Sequence, residues 1–417
     1  MLKLYDFQKQ ILNMTKDRNH VAYYLDMGLG KTFVGSEKMK QLGNKVNLVI
    51  CQKSKVNDWI QHFEDYYSEY EIINLTKEKQ DILLEPITKP TIYIINYELT
   101  FRRQYLRYLK DFTLLLDESS LIQNEHAKRT KFILNMNPTN IILLSGTPVG
   151  GKYENLWSQC RLLGWYINKS RFWQRYIQTR LIEVNGFNLP IVTGYMNVGD
   201  LKQNLRDHGA VFLKSNEVLD LPEQVETKQL IEPIPAYKSF RKNSIIEIDD
   251  DTLVGDNILK KMLYERQLCG QYNTKKLDAL KEIMESTSNR LIIFYNFTKE
   301  KDLIVSLCEK LKKPYSIING EIKDLKAYQE SDDSVTIVQY QAGAMGLNLQ
   351  QANKIIYFTL PLSSELFEQS RKRIHRIGQD KTCFYYYLIT KGSIEEKILK
   401  TLQMRKDYTN ELYREGM

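Results

Sequence analysis

The chain has 417 residues, 42% hydrophobic and 26% charged, with a net charge of +8. That length suits two α/β domains of ordinary size, and the composition excludes a disordered or fibrous chain. The polar start MLKLYDFQKQ and the absence of a long apolar run exclude a signal peptide and a membrane span. Five scattered cysteines with no CxxC pair point away from a zinc site or disulfide framework and towards a reducing cytoplasm. The positive balance favours a polyanionic partner.

Apolar, β-branched runs recur through the first part of the chain: VAYYLDM, VNLVICQ, TIYIINYE, FTLLLDES and NIILLSGTP. Between them lie stretches with helical spacing, such as NDWIQHFEDYY with Trp59, Phe63 and Tyr66 on one face. Buried strands alternating with helices predict an α/β fold with a parallel sheet covered on both faces. This first lobe is expected over residues 1–150. Residues 151–215 read as a mainly helical insertion with a hairpin turning at Asn185-Gly186. The spacing of Trp157, Trp165 and Trp173 predicts a packed helical face. Residues 216–274 read as a connection. The strand–helix rhythm restarts over 275–417 with RLIIFYNF, PYSIINGE, SVTIVQYQAG, KIIYFTLP and CFYYYLIT, and ends on a helix. Tyr385, Tyr386 and Tyr387 are expected on a strand near the sheet edge, with alternate rings buried.

Four motifs carry chemistry. The stretch LDMGLGKT follows an apolar run and precedes a helical pattern, the setting of a phosphate-binding loop. There Lys31 would reach the β- and γ-phosphates and the Thr32 hydroxyl would ligate magnesium. The usual first glycine of such a loop is Leu25, so an ordinary strand–helix turn remains a second reading. Next, LLLDESS ends a strand with Asp117 and Glu118, suited to holding magnesium, directly or through a water, and to polarising an attacking water. In IILLSGTP, Ser145 and Thr147 stand where small hydroxyl residues sense a phosphate site. In EQSRKRIHRIGQDK, Arg371, Arg373 and Arg376 lie close together, either as phosphate ligands or as a solvated basic face.

At this point the chain resembles the superfamily-two helicases, and most closely the Snf-type DNA translocases with two RecA-like lobes in tandem. The resemblance runs in order through LYDFQKQ, DMGLGKT, ICQKSKVNDW, LDESS, LLSGTPVGGKYENLWS, FLKSNEVLDLPEQ, IIFYNFT, AGAMGLNLQQA and QSRKRIHRIGQDK. It implies an ATP- and Mg²⁺-dependent DNA motor. Gln8 would read the adenine edge, and Gly28, Gly30, Lys31, Thr32 and Gly346 would contact the nucleotide. Asp117 and Glu118 would be metal partner and catalytic carboxylate. Ser145 and Thr147 would couple hydrolysis to motion, and Arg373 and Arg376 would reach across a cleft, with Arg376 as the finger. Lys53, Asn96, Tyr97 and Gly343 would grip DNA, mainly by its phosphate backbone.

The sequence also departs from that pattern. Ser120 replaces the histidine after the acidic pair, and Tyr340 and Ala344 replace smaller residues. Little chain precedes Gln8 or follows Gln379, so a motor without appended domains is expected, in a bacterial or host cytoplasm. Two other readings stay open: a nucleotide-gated DNA clamp that hydrolyses poorly, and an RNA-stimulated helicase.

Overall fold

The computed structural model describes residues 4–77, 88–149, 152–184, 187–249, 251–343 and 347–413. The chain forms two compact units, Met1–Val218 with Asp407–Met417, and Leu219–Lys406.

In the first unit, strands β1 (His20–Leu25), β2 (Val46–Cys51), β3 (Glu71–Asn74), β4 (Thr91–Asn96), β5 (Phe112–Asp117) and β6 (Asn140–Ser145) join one sheet. A hairpin of β7 (Ile177–Val184) and β8 (Phe187–Tyr195) follows, and then β9 (Ala210–Leu213). The sheet runs β3-β4-β2-β5-β6-β1-β9, and every pairing in it is parallel. Because helices cover both faces, the inner strands are almost continuously apolar and buried. All strands point the same way, so the turns after β1, β6 and β5 emerge at one edge, with β6 between the other two.

Two boundaries differ from the sequence reading. The range 151–215 is no separate insertion, since its last strand, β9, pairs with β1. That strand is four residues long and half-buried, without the apolar run that marks the others. Trp157, Trp165 and Trp173 do not share a helix face. Two lie on the helices Trp157–Leu162 and Lys169–Tyr176, and Trp165, in the loop between them, stacks on His208. All three pack against the first core. The turn Asn185-Gly186 lies outside the described residues.

The second unit holds β10 (Gln224–Ile231), the antiparallel pair β11 (Ile245–Ile248) and β12 (Asp251–Val254), and then β13 (Leu291–Tyr295). The remaining strands are β14 (Tyr315–Ile318), β15 (Val335–Gln339), β16 (Lys354–Tyr357) and β17 (Cys383–Thr390). The sheet order is β10-β17-β16-β13-β15-β14, again all parallel. The range 216–274 therefore supplies an edge strand as well as a connection. Being at the edge, β10 is largely exposed and shows no buried run. Strand β17 lies one place in from that edge, with Tyr385 and Tyr387 buried and Tyr386 half-buried. The Tyr340 ring lies over Phe294 at 5.1 Å, and Tyr357 over Tyr387 at the same spacing.

Glu300, in the first turn of helix Thr298–Lys310, is fully buried. One carboxylate oxygen accepts from the backbone N–H groups of Asn296 and Phe297 and from the Thr359 hydroxyl, at 2.9, 3.1 and 2.9 Å. Burial outweighs these bonds and pushes the carboxyl from 4.5 up to about 7. The folded state therefore holds this proton more tightly than the unfolded chain does. Glu300 contributes stability fully below pH 4.5 and loses it as pH rises to about 7, an effect of about 3 kcal/mol. In Glu300→Gln, urea unfolding from pH 4.5 to 8 is expected to lose this share of the pH slope. A slope equal to that of the wild type would remove Glu300 as its source.

Candidate functional site

The site is built at the edge where β1, β6 and β5 end. After β1 the chain turns through Gly28 (φ 89°) and Gly30 (φ 71°) into helix Lys31–Leu42. Positive φ is accessible to glycine at little cost, so the helix N-terminus is reached by a tight turn. Leu25, where a glycine was expected, is the buried last residue of β1, and the Lys31 ammonium donates to its carbonyl at 3.1 Å. Lys31 also lies 3.4 Å from the Asp26 carbonyl. The loop is tied down on its other side by Asp26, whose carboxylate accepts from the Ser215 hydroxyl at 2.6 Å.

Gln8 lies under this loop, 3% exposed. Its amide donates to the Leu29 carbonyl and accepts from the Tyr5 N–H, both at 3.0 Å. A Cβ on Gly30 would come within 2.4 Å of the Gln8 side-chain nitrogen. Gly30→Ala is thus expected to destabilise the first unit by about 1–2 kcal/mol, through the left-handed conformation alone. An unmoved urea midpoint would show that the loop tolerates a side chain there.

Asp117 ends β5 and Glu118 follows it in the left-handed region, at φ 52° and ψ 60°. The Trp59 indole donates to the Asp117 carboxylate at 2.8 Å, and the Tyr97 hydroxyl to the Asp117 carbonyl at 2.9 Å. Burial raises the Asp117 carboxyl above its ordinary value, opposed by the Trp59 hydrogen bond and the Lys31 charge. Trp59 belongs to helix Val56–Tyr66, whose buried face is Trp59, His62 and Phe63, while Tyr66 stands at the rim.

After β6, the Ser145 hydroxyl accepts from the Thr147 N–H at 3.1 Å. A Cβ on Gly146 would lie 3.1 Å from the Lys31 ammonium, so the turn packs directly on the phosphate loop. The Thr147 hydroxyl is buried and, among the described residues, has no hydrogen-bond partner. The sheet thus brings Lys31, Asp117, Glu118, Ser145 and Thr147 to one edge. Thr32, one residue into the helix, and Asp117 offer the hard oxygen donors that magnesium takes. Among the described residues no three His, Cys, Asp or Glu side chains converge on a metal position. An ion here would therefore complete its shell from phosphate oxygens and water, as Mg²⁺ commonly does.

Two expected DNA contacts are corrected. Asn96 and Tyr97 are 2% and 0% exposed, so neither side chain reaches a strand. Tyr97 clamps the acidic pair instead, and the Asn96 amide donates to Glu98. Lys53 is exposed just past β2. Gly343 ends the short helix after β15, and Gly346 lies outside the described residues.

In the second unit the three arginines differ. Arg371 is 3% exposed and committed to structure. Its guanidinium pairs with Glu226 at 2.6 Å, donates to Tyr387 and Gln224, and lies 4.3 Å from the Tyr385 ring. Arg373 is buried and its carbonyl accepts from the Leu349 N–H at 3.3 Å. Arg376 is half-buried, and among the described residues its guanidinium has no hydrogen bond or ion pair. Burial lowers its affinity for a proton, and among the described residues this desolvated cation has no counter-ion. Gln379 fastens the neighbouring block, donating to the carbonyls of Gln350, Ala352 and Ile374.

Fold and site define a phosphate-loop α/β protein with a second parallel-sheet unit. Residues 20–274 match the SNF2-related domain, and residues 275–378 match the helicase conserved C-terminal domain. The chain belongs to the SNF2-related family.

Among curated relatives, the candidate ATP-dependent helicase/translocase YwqA of Bacillus subtilis is 24% identical, over 93% of this chain and 46% of its own length. The ISWI chromatin-remodeling complex ATPase ISW1 of Saccharomyces cerevisiae is 23% identical, over 97% of this chain and 40% of its own length. The chain thus spans less than half of these relatives. The solved Sulfolobus solfataricus SWI2/SNF2 ATPase core in complex with dsDNA is 21% identical, with a TM-score of 0.47, over 98% of this chain and 92% of that one.

Proposed function

We propose that the chain is an ATP-dependent DNA translocase or helicase. The observation that carries this reading is the convergence of the phosphate loop, the acidic pair and the Ser145–Thr147 turn at one sheet edge. Lys31 would leave its two carbonyls for the β- and γ-phosphates of ATP. Glu118, held in a fixed backbone conformation, would orient and polarise the attacking water. Magnesium, held by Thr32 and Asp117, would neutralise phosphate charge. Gln8, buried under the loop, would fix the loop's shape beside the adenine. Arg376 would act as the arginine finger that stabilises charge on the transferring phosphate, with Arg373 as a second phosphate-binding arginine. The net charge of +8 favours a polyanion, and relatives named as a helicase/translocase and a chromatin-remodeling ATPase fit DNA as that partner, with Lys53 and Gly343 among its contacts. Five buried free cysteines fit a reducing cytoplasm.

The test is phosphate release from ATP with no nucleic acid, single-stranded DNA, duplex DNA, forked DNA and RNA. Stimulation by DNA above RNA, weakening steeply with salt, is expected. Preferential stimulation by RNA would make it an RNA helicase. Ser120, 1% exposed where the family's histidine is expected, favours one second reading, a nucleotide-gated clamp. That reading requires ATP to tighten DNA binding with no phosphate released.

A further inference from the structure

We propose that Gln159 is a positioning residue that couples the acidic pair to the phosphate loop and the Ser145–Thr147 turn; this rests on the ATPase reading above. Gln159 sits on helix Trp157–Leu162 and is fully buried. Its side-chain oxygen accepts from the Tyr24 hydroxyl at 3.0 Å and from the Ser119 hydroxyl at 2.8 Å. Its side-chain nitrogen donates to the Pro148 carbonyl at 2.9 Å. Tyr24 is the penultimate residue of β1, Ser119 follows Glu118, and Pro148 follows Thr147. One amide therefore touches all three elements that meet at the site.

The geometry fixes the direction of each bond. A carbonyl can only accept, so the amide nitrogen must face Pro148, and both hydroxyls must donate to the amide oxygen. That oxygen's two lone pairs are then filled. Glu118 is meanwhile held in the left-handed region between two tethers, Tyr97 on the Asp117 carbonyl and Gln159 on the Ser119 hydroxyl. Backbone in a sparsely populated region persists when its surroundings over-determine it. A shift of the Ser145–Thr147 turn would pull on Pro148, through it on Gln159, and so on the peptide that carries Glu118. This path uses Ser119 and leaves no role for the histidine missing at Ser120.

The test uses the full chain and measures kcat and KM for ATP with duplex DNA, together with urea unfolding. The variants are Ser119→Ala, Tyr24→Phe, their double, and Gln159→Met. Ser119→Ala and Tyr24→Phe each leave the amide oxygen one donor, so no buried group is wholly orphaned and the fold should survive. Ser119→Ala is expected to lower DNA-stimulated kcat about tenfold with KM changed less than twofold. The double variant is expected to lose no more than about tenfold as well, because both changes act through Gln159. Gln159→Met should match the double in kcat. Unchanged kcat in Ser119→Ala, or effects that multiply in the double variant, would overturn the proposal. A fall in unfolding midpoint with kcat intact would do the same, since it marks a purely structural amide. Wild-type protein that releases no phosphate with any nucleic acid would overturn the ATPase reading and this proposal with it.

Discussion

Lys31→Ala is expected to reduce ATP turnover by ~10³-fold or more while the chain stays folded. The ammonium donates to the carbonyls of Leu25 and Asp26, at 3.1 and 3.4 Å. Phosphate oxygens would displace those contacts readily, and the charge would then act where negative charge gathers in the transition state. Lys31→Arg is expected to rescue little. The wider guanidinium has to fit beside Gly146, where even an added Cβ would come within 3.1 Å of the ammonium and 3.2 Å of Met27. Turnover above a tenth of wild type in Lys31→Ala, with an unchanged urea midpoint, would remove Lys31 from the chemistry.

The second large effect separates two arginines that look alike in sequence. Arg376→Ala is expected to lower turnover by ~10³-fold if it is the finger, with no loss of stability. Its guanidinium has no protein partner to leave behind among the described residues. Arg371→Ala is expected to do the reverse and destabilise the second unit by about 2–3 kcal/mol, the scale of lost hydrogen bonds to a charged group. Its removal would take the ion-pair partner from Glu226, leave that carboxylate the Tyr387 hydroxyl as a donor, and open space above Tyr385. Unfolding curves and phosphate release on both proteins decide this. If Arg376→Ala kept more than a tenth of wild-type turnover, the finger would have to be another residue.

Much of the site was legible because its chemistry is local. Glycines at a positive-φ turn, a lysine at the helix start and carboxylates at a strand end can be recognised without knowing their partners. The two parallel sheets were equally visible, since strands buried on both faces read as apolar runs. What escaped depends on contacts distant in sequence. Trp59 reaches Asp117 because β2 and β5 are neighbours, Gln159 reaches Ser119 because β5 and β6 are, and nothing in the helices that carry them marks the bonds they make. Strands β9 and β10 were hidden because one is short and the other lies at an edge. Asn96 and Tyr97 carry residue types suited to gripping DNA, and only their burial shows otherwise. The three arginines share one chemistry, and the presence of Glu226 on a distant edge strand sets Arg371 apart.

The chain's four tryptophans, Trp59, Trp157, Trp165 and Trp173, all lie in the first unit, while the second is rich in stacked tyrosines. Light absorbed at the red edge of the ultraviolet band excites the first unit alone, so the emission spectrum is an optical label that no chemistry had to install. Trp59 donates directly to the Asp117 carboxylate and so sits against the charge of the acidic pair. Its emission is a local voltmeter for the site, and the melting of the first unit can be followed without a tryptophan signal from the second.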